Sequence, residues 1–119
     1  MKIYRYQEAK EQDCGAILGQ PGIGIKAKNL VNDEILKGIY KHKVLIKEYV
    51  LEQNTSLPMH PSEFIQVDIV LSGEAVFSNS HEKFELEEFD TAFKYAGESF
   101  SIKNSGNCRL KILSIILTD

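Results

Sequence analysis

Branched apolar residues dominate one ten-residue segment of the chain, Phe64-Ile65-Gln66-Val67-Asp68-Ile69-Val70-Leu71-Ser72-Gly73. A run of this composition that ends in a Ser-Gly turn is typical of a β-strand. Successive side chains of a strand point to opposite faces of the sheet, so Gln66, Asp68 and Val70 share one face. The segment therefore predicts a strand that carries two polar side chains on the same face as an apolar one.

The segments on either side repeat this rhythm of short strands and turns. Upstream, residues 43–51 are rich in branched and aromatic residues and end in a polar turn. Downstream, we predict a hairpin and three further strands, at Glu74–Phe77, Glu82–Leu86, Thr91–Tyr95, Ser99–Lys103 and Arg109–Leu117. Short strands with turns at such intervals are typical of a sandwich or barrel. The predicted fold class is all-β, a small antiparallel β-barrel or jelly roll.

The first 40 residues give weaker signals. The segment Gly22–Val31 alternates and predicts an N-terminal strand, whereas Asp33–Tyr40 pairs apolar residues at i and i+4 around a glycine. That second pattern allows at most one short helix. Four glycines between residues 15 and 24, followed by Lys26, resemble a phosphate-binding loop but lack its G-K-[ST] ending. We interpret this segment as a turn and a strand.

Length and composition restrict the class of protein. The chain has 119 residues, of which 43% are hydrophobic and 26% charged, and a net charge of −3. Such a length suits one domain, so we expect residues 1–119 to form a single unit. The chain has no basic cluster and no long apolar run, which argues against nucleic-acid and membrane partners. Its first residues lack the apolar stretch of a signal peptide, which predicts a cytoplasmic protein.

The cysteines, Cys14 and Cys108, lie far apart and form no C-x-x-C pair. In a reducing compartment such cysteines are expected to be free thiols.

Two spaced patterns span the middle of the chain. They are Asn54-x5-His60-x-Ser62-x3-Gln66-x6-Gly73 and Phe89-x5-Tyr95-x-Gly97-x2-Phe100-x3-Asn104. In these spacings the chain resembles the cupin family, whose motifs run G-x5-H-x-H-x3,4-E-x6-G and G-x5-P-x-G-x2-H-x3-N. The first motif covers residues 54–73 and the second residues 89–104. The resemblance implies a cupin-like (RmlC-like) double-stranded jelly roll.

The same resemblance implies where a metal would bind. In typical cupins two histidines and a glutamate of the first motif, with the histidine of the second, hold a divalent metal. The corresponding positions in this chain are His60, Ser62, Gln66 and Phe100. Only His60 is a good ligand, because neutral oxygens and a phenyl ring cannot hold a transition metal against water. We therefore expect no metal or other cofactor, and a divalent metal is the less favoured alternative.

The strand alternation and the resemblance together predict that Asp68 faces the barrel interior beside Gln66. A buried carboxylate needs a partner, and His60 is the first candidate. A His–Asp pair could act as a general base, as in some cupin-fold sugar epimerases, with Tyr95 or Tyr49 as the acid. The alternative is an Asp68 near the barrel mouth that is solvated or bonded to a lysine or a backbone amide.

Three functional hypotheses follow, and the sequence leaves open whether the chain is an enzyme. The first is a barrel cup that binds a small polar molecule, a sugar or an organic acid, without a metal. The residues predicted to contact such a ligand are His60, Ser62, Gln66, Asp68, Tyr95 and Phe100. The second is a metal-independent isomerase or epimerase with His60 and Asp68 as catalytic residues. The third is a structural dimer whose cup is plugged by Phe100.

A homodimer is expected under all three hypotheses. The N-terminal segment has little local core to join, and a partly open barrel leaves edge strands that invite pairing. We therefore predict that this segment lies on a neighbour's sheet and buries Ile23, Ile25 and Leu30 there.

Overall fold

The computed structural model describes residue 3 and residues 5–14, 24–31 and 43–118. The short helix that the sequence allows over Asp33–Tyr40 and the glycines at 15, 19 and 22 lie outside these ranges. Within them the chain forms a single 3₁₀ turn, Tyr6–Glu8, and ten strands. The strands are β1 (Glu11–Asp13), β2 (Ile25–Val31), β3 (Lys43–Leu51), β4 (Ser56–Pro61), β5 (Ile65–Ser72), β6 (Ala75–Ser78), β7 (Lys83–Leu86), β8 (Thr91–Lys94), β9 (Ser99–Asn104) and β10 (Leu110–Thr118).

The strands form two antiparallel sheets. The larger sheet has the order β1-β2-β3-β10-β5-β8 and the smaller the order β4-β9-β6-β7. All the described pairings are antiparallel. The predicted all-β jelly-roll class is confirmed. No helix in the described ranges is long and apolar enough to cross a membrane.

The middle of the larger sheet supplies much of the core. Strand β10 lies between β3 and β5, and its inward side chains Leu110, Ile112 and Ser114 are buried. On β5 the predicted alternation is correct, since Asp68 and Val70 are both completely buried. The smaller sheet covers this face with an apolar layer that includes Phe77, Phe100 and Ile102. The interior therefore lies between the two sheets, with Asp68 inside it.

Two backbone positions support the register of the motifs. The first residue of each family motif is a glycine, and this chain has Asn54 and Phe89 there. Both have a positive φ, 62° and 68°, in the left-handed region that favours glycine. At Gly73, where φ is 94°, a Cβ atom would lie only 2.8 Å from the carbonyl oxygen of Arg109. The turns of the motifs are therefore retained even where the glycine is not.

Strand β4 was missed by the sequence pattern. It contains Pro58 and Pro61, which cannot donate backbone hydrogen bonds and which usually argue against a strand. The strand is tolerated because it lies at the edge of the smaller sheet and, among the described strands, pairs with β9 alone. Its placement brings His60 into the interior.

The prediction that the N-terminal strand lies on a neighbour's sheet is wrong. Strand β2 pairs with β1 and β3 of its own chain, with Ile25 opposite Leu51. The side chains of Ile25 and Ala27 are buried in the chain's own core. The physical reason is that β3 offers an unpaired edge of the larger sheet, which β2 fills without a partner chain.

Candidate functional site

Two cavities lie between the sheets. The first, which we call the cup, has a volume of about 170 Å³. Its polar and thiol side chains are Cys14, Lys47, Tyr49, His60, Gln66 and Asp68. The second, which we call the side chamber, has a volume of about 250 Å³ and is lined in part by residues of the edge strands β7 and β8. Its aromatic and charged side chains are Phe77, Phe84, Phe93, Lys94, Glu98 and Phe100.

The carboxylate of Asp68 is held by three side chains. It accepts hydrogen bonds from the Ser114 hydroxyl on β10 and from Gln66 Nε2, the latter at 2.9 Å. Its second oxygen forms an ion pair with Lys94 Nζ. Lys94 stands directly opposite Gln66 in the β5–β8 pairing and reaches diagonally to Asp68. The predicted His60–Asp68 pair is therefore wrong, because a lysine from the neighbouring strand supplies the counter-ion.

Lys94 is a cation enclosed by the protein. Its residue is only 4% exposed, and burial lowers the pKa of its ammonium while Asp68 and then Glu98 raise it. The Nζ atom lies 3.5 Å from the centre of the Phe100 ring and 5.2 Å from that of Phe77. The carboxylate and the two ring faces together replace the water that the ammonium loses on burial. The charges of Asp68 and Lys94 thus neutralise each other within the protein.

His60 is oriented by the backbone of its own strand. Its Nδ1 atom lies 2.8 Å from the carbonyl oxygen of Pro58, which only accepts, so Nδ1 carries the proton. In the neutral ring Nε2 is then unprotonated. The ring packs against Phe100 with centroids 4.5 Å apart and a tilt of 52°. His60 and Asp68 both line the cup, yet no hydrogen bond between them occurs in the described structure.

Lys47 and Tyr49 line the cup from β3. Burial is the main cause that raises the pKa of Tyr49, and the charges of Cys14 and Asp68 raise this pKa further. The Tyr49 hydroxyl therefore stays protonated and can donate a hydrogen bond. Lys47 is partly buried, and none of the described residues forms a hydrogen bond or ion pair with it. Lys47 was not among the site residues predicted from the sequence. The available signal was its alternation with Tyr49 and Leu51, which places a lysine on an otherwise inward face.

Cys14 closes the cup beside these residues. Burial raises the pKa of its thiol to about 11, Lys47 lowers it and Asp13 raises it. Both cysteines are free, as predicted, with Cys14 buried and Cys108 exposed.

Two predicted contact residues, Ser62 and Tyr95, lie outside the cup. The Ser62 hydroxyl donates to the carbonyl oxygen of Phe64 at 2.5 Å, just after β4 ends. Tyr95 is 68% exposed and packs edge-on against Phe93, with ring centroids 5.2 Å apart. The reason is the alternation of side chains along an extended chain: Lys94 points inward, so the next residue, Tyr95, points outward. Tyr49, the alternative that the sequence offered, lines the cup instead.

The residues at the family's metal positions do not fit a divalent metal. Ser62 is bonded to its own loop, Phe100 has no donor atom, and Gln66 offers a neutral amide that bonds to Asp68. The carboxylate of Asp68 is already neutralised by an ammonium. Among the residues that the structure describes, no group of three or more histidine, cysteine or acidic side chains could hold a metal ion. In place of a ligand set, the wall of the cup therefore contains a carboxylate that is already paired with Lys94.

No family model matches the chain, but a curated protein is similar to it in sequence. The chain is 34% identical over 64 residues to the "Oxalate-binding protein" of Thermotoga maritima. The match covers 54% of this chain and 52% of that protein. The chain thus spans about half the length of this curated relative.

Solved structures match over nearly the whole chain. A "predicted oxalate decarboxylase" from Thermotoga maritima superimposes with a TM-score of 0.77 at 22% identity, over 99% of this chain and 100% of that one. An RmlC-like cupin from Shewanella frigidimarina gives 0.75 at 12% identity, over 100% and 93%. KdgF from a Halomonas species gives 0.73 at 15% identity, over 97% and 94%. At these identities the likeness shows the fold, which is that of the RmlC-like cupins.

Proposed function

We propose that this cupin-fold chain binds a small organic acid in the cup without a metal. The observation that carries the proposal is a difference between the two charged side chains that line the cup, Asp68 and Lys47. The carboxylate of Asp68 is neutralised by Lys94, whereas Lys47 has no counter-ion among the described residues. A partly buried ammonium with no partner in the described part of the chain favours a ligand that brings a carboxylate.

Hydrogen-bond donors and size support the same class of ligand. The protonated Tyr49 hydroxyl and the Lys47 ammonium both line the cup, and both can donate to a carboxylate. The cup, at about 170 Å³, is smaller than the pockets that hold drug-sized ligands, which measure about 300–1,000 Å³. An acyclic acid of a few carbons is therefore favoured over a sugar ring. The name of the relative, an oxalate-binding protein, agrees with this class.

The two other functional hypotheses receive less support. The isomerase hypothesis depends on a His60–Asp68 pair, and Asp68 is bonded to Lys94 instead. The plugged-cup hypothesis requires a filled interior, and a cavity is left beside Phe100. The homodimer stays a prediction without its original basis, since β2 pairs within its own chain. Light scattering at micromolar concentration measures it directly.

The experiment that tests the proposal is calorimetric titration of oxalate in the presence of a chelator. We expect saturable binding with one site per chain. The variant Lys47→Met should weaken it by about tenfold or more, because a charge-assisted hydrogen bond is lost. The matched control is Lys103→Met, which removes an exposed lysine of β9 and should leave the affinity unchanged. Equal affinity in Lys47→Met and the parent protein, or binding that the chelator abolishes, would overturn the proposal.

A further inference from the structure

The side chain of Phe100 is the wall between the cup and the side chamber. It lines both cavities, and its residue is only 4% exposed. Residues of β3, β4 and β5 line the cup side, and residues of β6, β7 and β8 line the chamber side. The interior is therefore divided where a cupin motif places a metal-binding histidine.

Phe100 is held in this position by contacts with two neighbouring side chains, those of Lys94 and His60. The Lys94 ammonium lies 3.5 Å from the ring centre, and the His60 ring packs at a centroid distance of 4.5 Å. His60 and Phe100 are also opposite each other in the β4–β9 pairing. Lys94 is in turn fixed by its ion pair with Asp68. A ring that contacts both a fixed cation and an imidazole is a fixed partition.

We propose that Phe100 is the specificity-determining residue of the cup, a partition that admits small acyclic acids and excludes acids that carry a ring. This inference rests on the proposed function and adds the size limit of the ligand. The cup and the chamber are each smaller than the roughly 300–1,000 Å³ of pockets for larger ligands, but joined they fall within that range.

The joined space would suit one chemical class in particular. Once the Phe100 ring is removed, an aromatic carboxylate could place its own ring in that position. Its ring would then lie beneath the Lys94 ammonium, whose Nζ atom is also 5.2 Å from the centre of the Phe77 ring. Its carboxylate would then reach the cup, where Lys47 has no described counter-ion. Benzoate is the smallest probe of this class.

The test compares benzoate with oxalate in Phe100→Ala and in Phe100→Leu. The leucine variant is the matched control, because it keeps most of the wall while removing the ring. In Phe100→Ala the ratio of benzoate to oxalate affinity should rise by about tenfold or more over that of the parent protein, and in Phe100→Leu it should rise little. An equal ratio in the alanine and leucine variants would overturn the inference.

A second measurement separates this inference from the proposed function. Phenol, which has no carboxylate, should raise the melting temperature of Phe100→Ala and not that of Phe100→Leu. This result does not depend on the binding of an acid. A parent protein that does not bind oxalate would refute the proposed function, and the phenol measurement would still test the partition. The absence of a difference between the two variants in phenol would refute the partition. If the alanine variant lacks a cooperative melting transition, Phe100→Val takes its place in both measurements.

Discussion

Two of the described lysines line the interior of this barrel, and they occupy opposite environments. Lys94 on β8 is enclosed between aromatic rings and forms an ion pair with Asp68. Lys47 on β3 lines the cup, is partly buried and has no counter-ion among the described residues. A buried charge that is matched within the protein stabilises a particular packing, whereas an unmatched one is available to a ligand. Residue type alone therefore does not separate a structural cation from a binding cation.

The largest expected effect follows from removal of the matched lysine. Lys94→Met leaves the Asp68 carboxylate buried without a counter-ion, and this should lower the free energy of unfolding by about 3–5 kcal/mol. Urea denaturation followed by circular dichroism measures the change. The double variant Lys94→Met/Asp68→Asn should recover most of the loss, because a neutral amide needs no counter-ion. If the single and double variants are equally stable, Lys94 does not stabilise the fold by neutralising Asp68.

Lys47, which has no counter-ion in the described ranges, should behave in the opposite way. Lys47→Met removes a partly buried charge that has no described partner, so the free energy of unfolding should rise by up to about 1 kcal/mol. The same denaturation experiment measures it, with Lys103→Met as the exposed control. A loss of stability comparable to that of Lys94→Met would show that Lys47 is also structural, and the comparison would fail.

The smallest expected effect is a change in the reactivity of the Cys14 thiol. Its pKa is about 11, and Lys47 lowers it, so removal of the Lys47 charge should raise it further. Because only the thiolate reacts, alkylation of Cys14 by iodoacetamide at a fixed pH should be slower in Lys47→Met than in the parent protein. Mass spectrometry follows the reaction, and the exposed Cys108 serves as the internal standard. Faster or unchanged alkylation would place the Lys47 charge away from the thiol.

The strands were predictable wherever the period of two is backed by branched residues. Residues 43–51 form β3 as predicted, and the inward face of β5 with Asp68 and Val70 is as the alternation requires. Strand β4 was not predictable from propensity, since only its edge position allows Pro58 and Pro61. The alternation of residues along a strand therefore predicts which face a side chain occupies. Whether a segment that contains proline can join a sheet depends instead on its position in the folded sheet.

The partners inside the barrel were less accessible to sequence. That Asp68 needs a partner follows from its inward position, but the identity of the partner depends on how β5 and β8 pair. In that register Lys94 stands opposite Gln66, within diagonal reach of the carboxylate. The sequence motif pointed instead to His60, which lies on the other sheet and bonds to its own backbone. Long-range register, which no local pattern encodes, therefore decides which charges meet.

The decisive measurement is a crystal structure of the protein grown with oxalate and a chelator. We expect an oxalate oxygen at about 2.7–2.9 Å from Lys47 Nζ, with the ion pair between Lys94 and Asp68 intact. Oxalate bound to Lys94 with that ion pair broken, or oxalate bound outside the cup, would refute binding at Lys47.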